Sequence, residues 1–261
     1  EDFIVIKMGG SVLSNKDLFD NLILDIVILK KLGLSIFLIH GGGSKISKKL
    51  NDLSIKSNFI NGLRVTDNTI IDIVEDVLIN LNKEIVSALK NKYCKAKEIT
   101  SKQNNIIIVE PENNTLGFVG KPIEIKTNTL IKIISSNEVP VIASLGLDKN
   151  NQTFNINADS VAGAIAKNLK ARRLLMISDV EGVLNKEKKL VPEINADQAK
   201  QMIVDKIISG GMIPKINNCL DVAKNGVKAV CIIDGRKNHS ILFELLSDKG
   251  SGTLIREWKI Y

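Results

Sequence analysis

Three glycine-rich turns, each beside a predicted strand or helix, could bind an anion. Lys7-Met8-Gly9-Gly10-Ser11 ends one strand, His40-Gly41-Gly42-Gly43-Ser44 ends the next, and Gly210-Gly211-Met212-Ile213-Pro214-Lys215 leads into a helix. Glycine lets backbone N–H groups approach an anion closely, and a helix N-terminus adds the positive end of its dipole. One such turn commonly serves only to reverse the chain, but three together favour a site for phosphate or carboxylate groups.

Two lysines and one aspartate place charge in or near these turns. Lys7 lies at the end of an apolar strand, where an ammonium group is unfavourable to bury without an anion. Lys215 lies at the start of a helix and opposes the helix dipole, so a bound anion would explain its position as well. Asp159 precedes a helix of small residues. It either caps that helix or orients the two ammonium groups.

Three further polar positions have both a structural and a functional interpretation. Arg64 offers a planar fork that suits a carboxylate, or it forms a surface salt bridge. Asn155 offers an amide donor to a substrate, or it forms a turn. Asp179-Val180-Glu181-Gly182-Val183-Leu184 follows a predicted strand. It is either a β-turn or one wall of an adenine or ribose pocket.

Several common catalytic motifs are missing from the sequence. It contains no GxxxxGK[ST] loop, no GxGxxG loop and no GxSxG turn. Its two histidines, His40 and His239, cannot supply an HExxH helix, and no Cys/His spacing resembles a metal site. The three cysteines are odd in number and scattered, which favours a reducing cytoplasm over a disulfide framework.

Composition indicates a globular chain of one or two domains. Of its 261 residues, 44% are hydrophobic and 25% are charged. No apolar run approaches the roughly 20 residues needed to cross a bilayer, and no leader precedes the first predicted strand, so we expect no membrane partner. The net charge of +7 comes from dispersed lysines, since only five of the 36 basic residues are arginines. We therefore expect no nucleic-acid partner.

The order of elements predicts an α/β fold. Short β-branched segments alternate with amphipathic helical patterns, which is typical of a mainly parallel sheet covered by helices on both faces. Residues 106–110 and 123–125 are predicted as a hairpin or lid, and residues 148–152 as a polar turn. The main strands are predicted at residues 3–8, 35–39, 139–144, 173–177, 229–233 and 253–255. The helices are predicted at residues 17–32, 44–53, 67–91, 129–137, 160–169, 196–208, 214–225 and 240–246.

These motifs occur in the order seen in the amino acid kinase family. The sequence resembles most closely the branch of that family that phosphorylates N-acetyl-L-glutamate. KxGG at Lys7 and SDVxG at Ser178 are shared widely in the family, whereas NGLRVT at Asn61, NxNAD at Asn155 and GGMIxK at Gly210 are more specific to this branch. The resemblance covers nearly the whole chain.

The resemblance implies a three-layer αβα sandwich of the amino acid kinase or carbamate kinase type. It implies one domain over residues 1–261, with the acyl-amino acid in an N-terminal lobe of about residues 1–173 and ATP in a C-terminal lobe of about residues 174–261. The reaction implied is transfer of the ATP γ-phosphoryl group to the side-chain carboxylate of N-acetyl-L-glutamate, in arginine biosynthesis. Mg²⁺ would accompany ATP, with no dedicated metal site in the protein.

The same resemblance assigns roles to individual residues. The catalytic set comprises Lys7 and Lys215, which stabilise the charge of the transferring group, and Asp159, which holds both lysines. The substrate would contact Gly42, Gly43, Arg64 and Asn155. ATP would contact Gly9, Gly10, Asp179, Val180, Glu181, Gly182, Val183, Leu184, Gly210, Gly211 and Met212.

The sequence departs from the family pattern in two places. Residues 99–105 lack the glycines that are usual there, which leaves the local turn unpredicted. The sequence also begins at its first strand, without the helix that arginine-inhibited relatives use to build a hexamer. We therefore expect a homodimer without arginine feedback.

Two other functions fit the same motifs. One is a kinase for carrier-protein-bound aminoadipate or glutamate, in lysine or ornithine synthesis. The other is a non-catalytic regulator that binds ATP or an amino acid. The NGLRVT segment favours the free acetylated substrate, and the presence of Lys7, Asp159 and Lys215 together favours an enzyme.

Overall fold

The structure, a computed structural model, describes residues 2–257, so both ends of the predicted domain lie outside the described residues. The strands within that range, in chain order, are β1 (Phe3–Met8), β2 (Ser35–His40), β3 (Phe59–Ile60), β4 (Leu63–Arg64), β5 (Ala96–Ile99), β6 (Ile107–Pro111), β7 (Val119–Ile125), β8 (Val139–Ala143), β9 (Leu145–Leu147), β10 (Thr153–Ile156), β11 (Arg173–Ser178), β12 (Glu193–Ile194), β13 (Ala229–Asp234) and β14 (Gly252–Ile255). The helices are α1 (Gly10–Ser14), α2 (Lys16–Lys31), α3 (Gly43–Asp52), α4 (Asn68–Asn91), α5 (Thr127–Ser135), α6 (Ala158–Asn168), α7 (Ala196–Val204), α8 (Met212–Lys224) and α9 (Ser240–Leu246). None of these helices could span a membrane.

Eight strands form the central sheet, in the order β12-β14-β13-β11-β1-β2-β8-β5. All neighbouring pairs are parallel except β13 and β14, which are antiparallel. Strand β1 lies between β2 and β11, so Lys7 is opposite Ile39 on one side and Met176 on the other. The predicted mainly parallel sheet is confirmed.

Helices cover both faces of this sheet because its strands are apolar on both sides. Val5 and Phe37 pack with α5, α6 and α8 in one buried cluster. Ile4 and Ile36, their neighbours in sequence, pack with α2, α4 and α9 in the other. Successive side chains of a strand point to opposite faces, so both layers of the core come from the same strands. The three-layer αβα sandwich is confirmed.

Side-chain caps set the start of several helices. Asn15 accepts a hydrogen bond from the backbone N–H of Leu18 at the start of α2, and Asp67 does the same for Thr69 and Ile70 at the start of α4.

The prediction for α7 was four residues too long at its C-terminal end. Lys206 has a φ of +56°, which an α-helix does not accommodate.

The middle of the chain forms a small closed barrel next to the sheet. Strands β6 and β7 form the predicted hairpin and are antiparallel. Strand β6 is shifted by one residue from its predicted position, and β7 begins four residues earlier than predicted. Strands β9 and β10 form a second hairpin around the predicted polar turn, and β10 pairs in parallel with β7 to close the barrel. This closure was not predicted from the sequence. The short β3–β4 hairpin, whose turn residues Asn61 and Gly62 both have positive φ, was not predicted either.

Candidate active site

Three charged side chains from distant parts of the chain meet at the carboxyl edge of the central sheet. Lys7 lies near the end of β1, Asp159 in the first turn of α6 and Lys215 in the first turn of α8. The Nζ atom of Lys7 is 2.9 Å from Oδ1 of Asp159, and the Nζ atom of Lys215 is 2.6 Å from Oδ2. Between 12% and 19% of each side chain is exposed, so all three lie largely out of solvent. One carboxylate thus holds two ammonium groups side by side.

The carboxyl group of Asp159 is ionised at neutral pH. Burial opposes its ionisation, but the charges of Lys7 and Lys215 outweigh that effect and lower the pKa of Asp159. The interpretation of Asp159 as a helix cap is wrong. Asn157 caps α6 instead, because its side-chain oxygen accepts hydrogen bonds from the backbone N–H groups of Asp159 at 2.8 Å and Ser160 at 3.2 Å. The Asp159 side chain is therefore available to the lysines.

Asn218, which was not predicted from the sequence, contacts the backbone of Asp159 in this charged group. Its side-chain amide donates a hydrogen bond of 2.8 Å to the backbone carbonyl of Asp159, and so joins α8 to α6. The two helices approach closely at Gly163, where an added Cβ would lie 2.9 Å from Oδ1 of Asn218. A single asparagine on an amphipathic helix gives no signal in the sequence, because its partner is 59 residues away.

The cleft in front of Lys7 contains the predicted substrate residues. It has a volume of about 280 Å³, and its walls include Gly42, Gly43, Arg64 and Asn155 together with Asp159. A second cleft, of about 400 Å³, is lined by Gly211, Lys215 and Asn218 and also reaches Asp159. Asp159 thus lies where the two clefts meet.

Arg64 is a buried cation without a protein counter-ion. Only 6% of the residue is exposed, and none of the ion pairs within residues 2–257 includes it. Its guanidinium donates hydrogen bonds to the hydroxyl of Ser57, to the hydroxyl of Ser47 at 2.8 Å and to the carbonyl of Gly43 at 3.1 Å. Its Cζ atom lies 4.6 Å from the centre of the Phe59 ring. The surface salt-bridge interpretation is therefore wrong, and the arrangement suits an anionic ligand.

Asn155 belongs to a strand and does not form a turn. In β10 its backbone N–H donates to the carbonyl of Phe118 at 2.9 Å, and its side-chain amide lies 3.4 Å from the hydroxyl of Thr66. This contact connects two of the sequence motifs, since Thr66 ends the segment that contains Arg64. The turn interpretation of Asn155 is wrong.

The residues predicted to contact ATP lie in different parts of the structure, and only some of them line the two clefts. Gly10 lines the cleft of Lys7, and Gly211 lines that of Lys215. Gly9 directly follows β1, and an added Cβ there would be 2.6 Å from the carbonyl oxygen of Ile177 in β11. Gly210 and Met212 flank Gly211 at the start of α8, outside the walls of both clefts.

Residues 179–184 directly follow β11, at the same edge of the sheet. Gly182 has a φ of +141°, and the backbone N–H of Val183 donates to the hydroxyl of Thr253 at 2.8 Å. Glu181 forms an ion pair with Lys237 at 3.5 Å. None of Asp179, Val180, Glu181, Gly182, Val183 and Leu184 lines either of the two clefts. Their predicted contact with ATP stays a prediction.

Comparison with known proteins assigns the family. The model of the amino acid kinase family matches residues 2–234 of this chain. The chain belongs to the amino acid kinase family. Within this family, it is 67% identical over 257 residues to the acetylglutamate kinase of Pelagibacter ubique strain HTCC1062, a match that covers 98% of this chain and 89% of that relative.

Solved structures support the same fold. The structure of smu.665 from Streptococcus mutans UA159 has a TM-score of 0.84 at 29% identity, and the match covers 98% of each chain. A Giardia carbamate kinase has a TM-score of 0.72 at 16% identity, over 98% of this amino acid kinase and 99% of that chain. The central sheet and its two helical layers are therefore those of an amino acid kinase fold.

Proposed function

We propose that this amino acid kinase transfers the γ-phosphoryl group of ATP to the side-chain carboxylate of N-acetyl-L-glutamate. The products are N-acetyl-L-glutamyl 5-phosphate and ADP, in a step of arginine biosynthesis. One observation carries the proposal: the Lys7–Asp159–Lys215 group opens on a cleft whose wall contains the uncompensated cation of Arg64. The 67% identity to an acetylglutamate kinase supports the same substrate.

The cleft in front of Lys7 binds the acceptor in this proposal. The guanidinium of Arg64 pairs with the α-carboxylate, which supplies the anion that its burial requires. The side-chain amide of Asn155 binds the amino-acid portion, and the backbone N–H groups of Gly42 and Gly43 bind the reacting end of the molecule. In this proposal the acceptor binds to the N-terminal part of the chain, as the resemblance to the family implies.

The chemistry needs no general base, because a carboxylate is already ionised at neutral pH. One of its oxygens attacks the γ-phosphorus as the bond between that phosphorus and the β–γ bridging oxygen breaks, and ADP leaves. Catalysis comes from positioning the reactants and from neutralising the charge of the transferring group. Lys7 and Lys215 approach that group from the two clefts, and Asp159 keeps both ammonium groups in place.

ATP binds at the Lys215 end of the site in this proposal. The phosphates contact Gly9, Gly10 and the start of α8, and residues 179–184 contact the nucleoside. Two ammonium groups and a helix N-terminus fit a polyphosphate well, since each favours negative charge. Mg²⁺ would accompany ATP and would neutralise part of the phosphate charge.

The setting of the enzyme is also part of the proposal. Cys94, Cys219 and Cys231 are free thiols buried in the fold, which is consistent with the cytoplasm as its compartment. The homodimer stays a prediction, and light scattering at several protein concentrations will test it.

The deciding experiment traps the acyl phosphate with hydroxylamine after incubation with ATP and Mg²⁺. N-acetyl-L-glutamate is compared with glutamate, aspartate, carbamate and UMP. We expect hydroxamate from the acetylated substrate and little from the others. Absence of hydroxamate with every acceptor, together with measurable ATP binding, would refute the proposal and favour a carrier-linked substrate or a regulatory protein.

A further inference from the structure

His40, which ends β2 at the start of the second glycine-rich turn, is completely buried. Its Nε2 atom lies 2.9 Å from Nδ2 of Asn82, a buried residue of α4. Its Nδ1 atom lies 3.1 Å from the carbonyl oxygen of Gly41, in the turn that lines the acceptor cleft. The ring therefore connects α4 to the backbone of this turn.

The partners of Asn82 determine which nitrogen of His40 carries the proton. Nδ2 of Asn82 is also 2.9 Å from the carbonyl oxygen of Val141, which can only accept a hydrogen bond. The nitrogen of the Asn82 amide must therefore face both groups, and it donates one hydrogen to each. His40 accepts at Nε2, so its single proton is on Nδ1 and is donated to the carbonyl of Gly41.

We propose that neutral His40, held in the Nδ1–H form by Asn82, is a positioning residue that orients the Gly41–Gly42 peptide for phosphoryl transfer. This inference rests on the proposed function, in which Gly42 and Gly43 offer N–H groups to the reacting end of the acceptor. In a trans peptide, the carbonyl of one residue and the N–H of the next point in opposite directions. With the Gly41 carbonyl held toward the buried ring, the Gly42 N–H points away from the ring, in a turn whose residues Gly41, Gly42 and Gly43 all line the cleft.

Two further observations agree with a fixed turn. An added Cβ at Gly42 would lie 2.7 Å from Cδ2 of Leu78 in α4, so the turn packs closely against the helix that contains Asn82. Burial lowers the pKa of His40 to about 4, and the nearby charge of Lys45 acts in the same direction. The ring thus stays neutral at physiological pH, as the hydrogen-bond pattern requires.

Two near-isosteric variants separate this role from simple packing. In His40→Asn the side-chain amide nitrogen takes the place of Nδ1 and can still donate to Gly41. In His40→Gln the polar end takes the place of Nε2 and keeps only the contact with Asn82. We expect kcat to be at least fivefold higher in His40→Asn than in His40→Gln, with KM values for ATP that agree within about twofold. Equal kcat values, or a higher kcat in His40→Gln, would overturn the proposal.

The tautomer can be measured directly in the unmodified protein, because the chain contains only two histidines. Long-range ¹H–¹⁵N spectra of histidine-labelled protein, assigned with His239→Gln, should show a protonated Nδ1 and an unprotonated Nε2 for His40 at pH 7. The reverse pattern would overturn the proposal even if the enzyme is active. If no acceptor is phosphorylated while the Nδ1–H form is found, the proposed function fails and the hydrogen-bond assignment stands.

Discussion

The side-chain amide of Asn218 holds the backbone carbonyl of Asp159 at 2.8 Å, so the helix that contains Lys215 is connected directly to the helix that contains its carboxylate partner. Because Asn218 lies one turn after Lys215 on α8, this bond fixes the relative position of the two charged groups. The ion pair of 2.6 Å between Lys215 and Asp159 thus depends on the hydrogen bond made by an uncharged residue, Asn218.

Replacing Asn218 by alanine should lower kcat about tenfold with little change in the acceptor KM, because misplacement of Lys215 affects the transition state most. Steady-state kinetics with both substrates will measure this. Asn168→Ala is the matched control, since Asn168 makes the same type of bond, 2.9 Å to the carbonyl of Ala164, at an exposed position on α6. A similar fall in kcat for both variants would contradict the prediction.

Replacing Lys215 by alanine should lower kcat by a factor of about 100 or more and change both KM values by less than about threefold. The reason is that its ammonium group neutralises charge that develops on the transferring phosphoryl group. Lys167→Ala serves as the control, because Lys167 forms an exposed ion pair of 2.6 Å with Asp221 outside both clefts. An unchanged kcat in Lys215→Ala would remove its proposed role.

The resemblance to the family predicted the charged centre, and the unfavourable burial of Lys7 and Lys215 without an anion pointed in the same direction. The sequence left open whether Asp159 caps α6 or orients the two lysines, since aspartate also favours the cap position of a helix. The structure resolves this choice through the two hydrogen bonds accepted by Asn157.

Six of the eight strands of the central sheet were predictable because they are apolar segments separated by amphipathic helices. The two edge strands, β5 and β12, were not predicted. The barrel was not predictable, because β7 and β10 pair at only two positions, Val119 with Asn155 and Gly120 with Ile156, and nothing local in the sequence specifies that pairing. The contacts of His40 with Asn82 and of Asn218 with Asp159 were missed for the same reason. Each joins residues that are far apart in the chain.

The contacts of Glu75 explain how residues 99–105 form their turn without the glycines that are usual there. This buried carboxylate of α4 accepts hydrogen bonds from the hydroxyls of Ser101 at 2.6 Å and Thr153 at 2.8 Å, and it forms an ion pair of 3.0 Å with Lys102. Thr153 lies two residues before Asn155 in β10. Glu75 therefore fixes both the turn after β5 and the strand that carries a proposed substrate contact.

Replacing Glu75 by alanine should lower the free energy of unfolding by about 2 kcal/mol, because the buried hydroxyl of Ser101 and the half-buried hydroxyl of Thr153 lose their acceptor. It should also raise the KM for N-acetyl-L-glutamate more than the KM for ATP. Lys102→Met should change the stability by less than about 0.5 kcal/mol, since 64% of that side chain is exposed. Urea unfolding and steady-state kinetics will test both variants, and equal effects of the two substitutions would contradict this account.

His40 should make the fold less stable in mild acid. Burial lowers its pKa in the folded state from 6.5 to about 4, so between these values the unfolded chain binds a proton that the folded chain does not. Its contribution to stability is therefore complete above about pH 6.5 and is lost progressively as the pH falls toward 4. The loss between pH 6.5 and 4.5 is roughly 2 kcal/mol.

The measurement compares the free energies of unfolding of the wild-type protein and His40→Asn, from urea titrations at pH 6.5 and pH 4.5. Groups other than His40 titrate in both proteins, so their effects cancel in the difference. We expect the wild-type protein to lose roughly 2 kcal/mol more than the variant over this interval. Equal losses would contradict the prediction, because they would mean that His40 has the same pKa in the folded protein as in the unfolded chain. We do not expect this result, since the ring is buried and contacts Asn82 and Gly41.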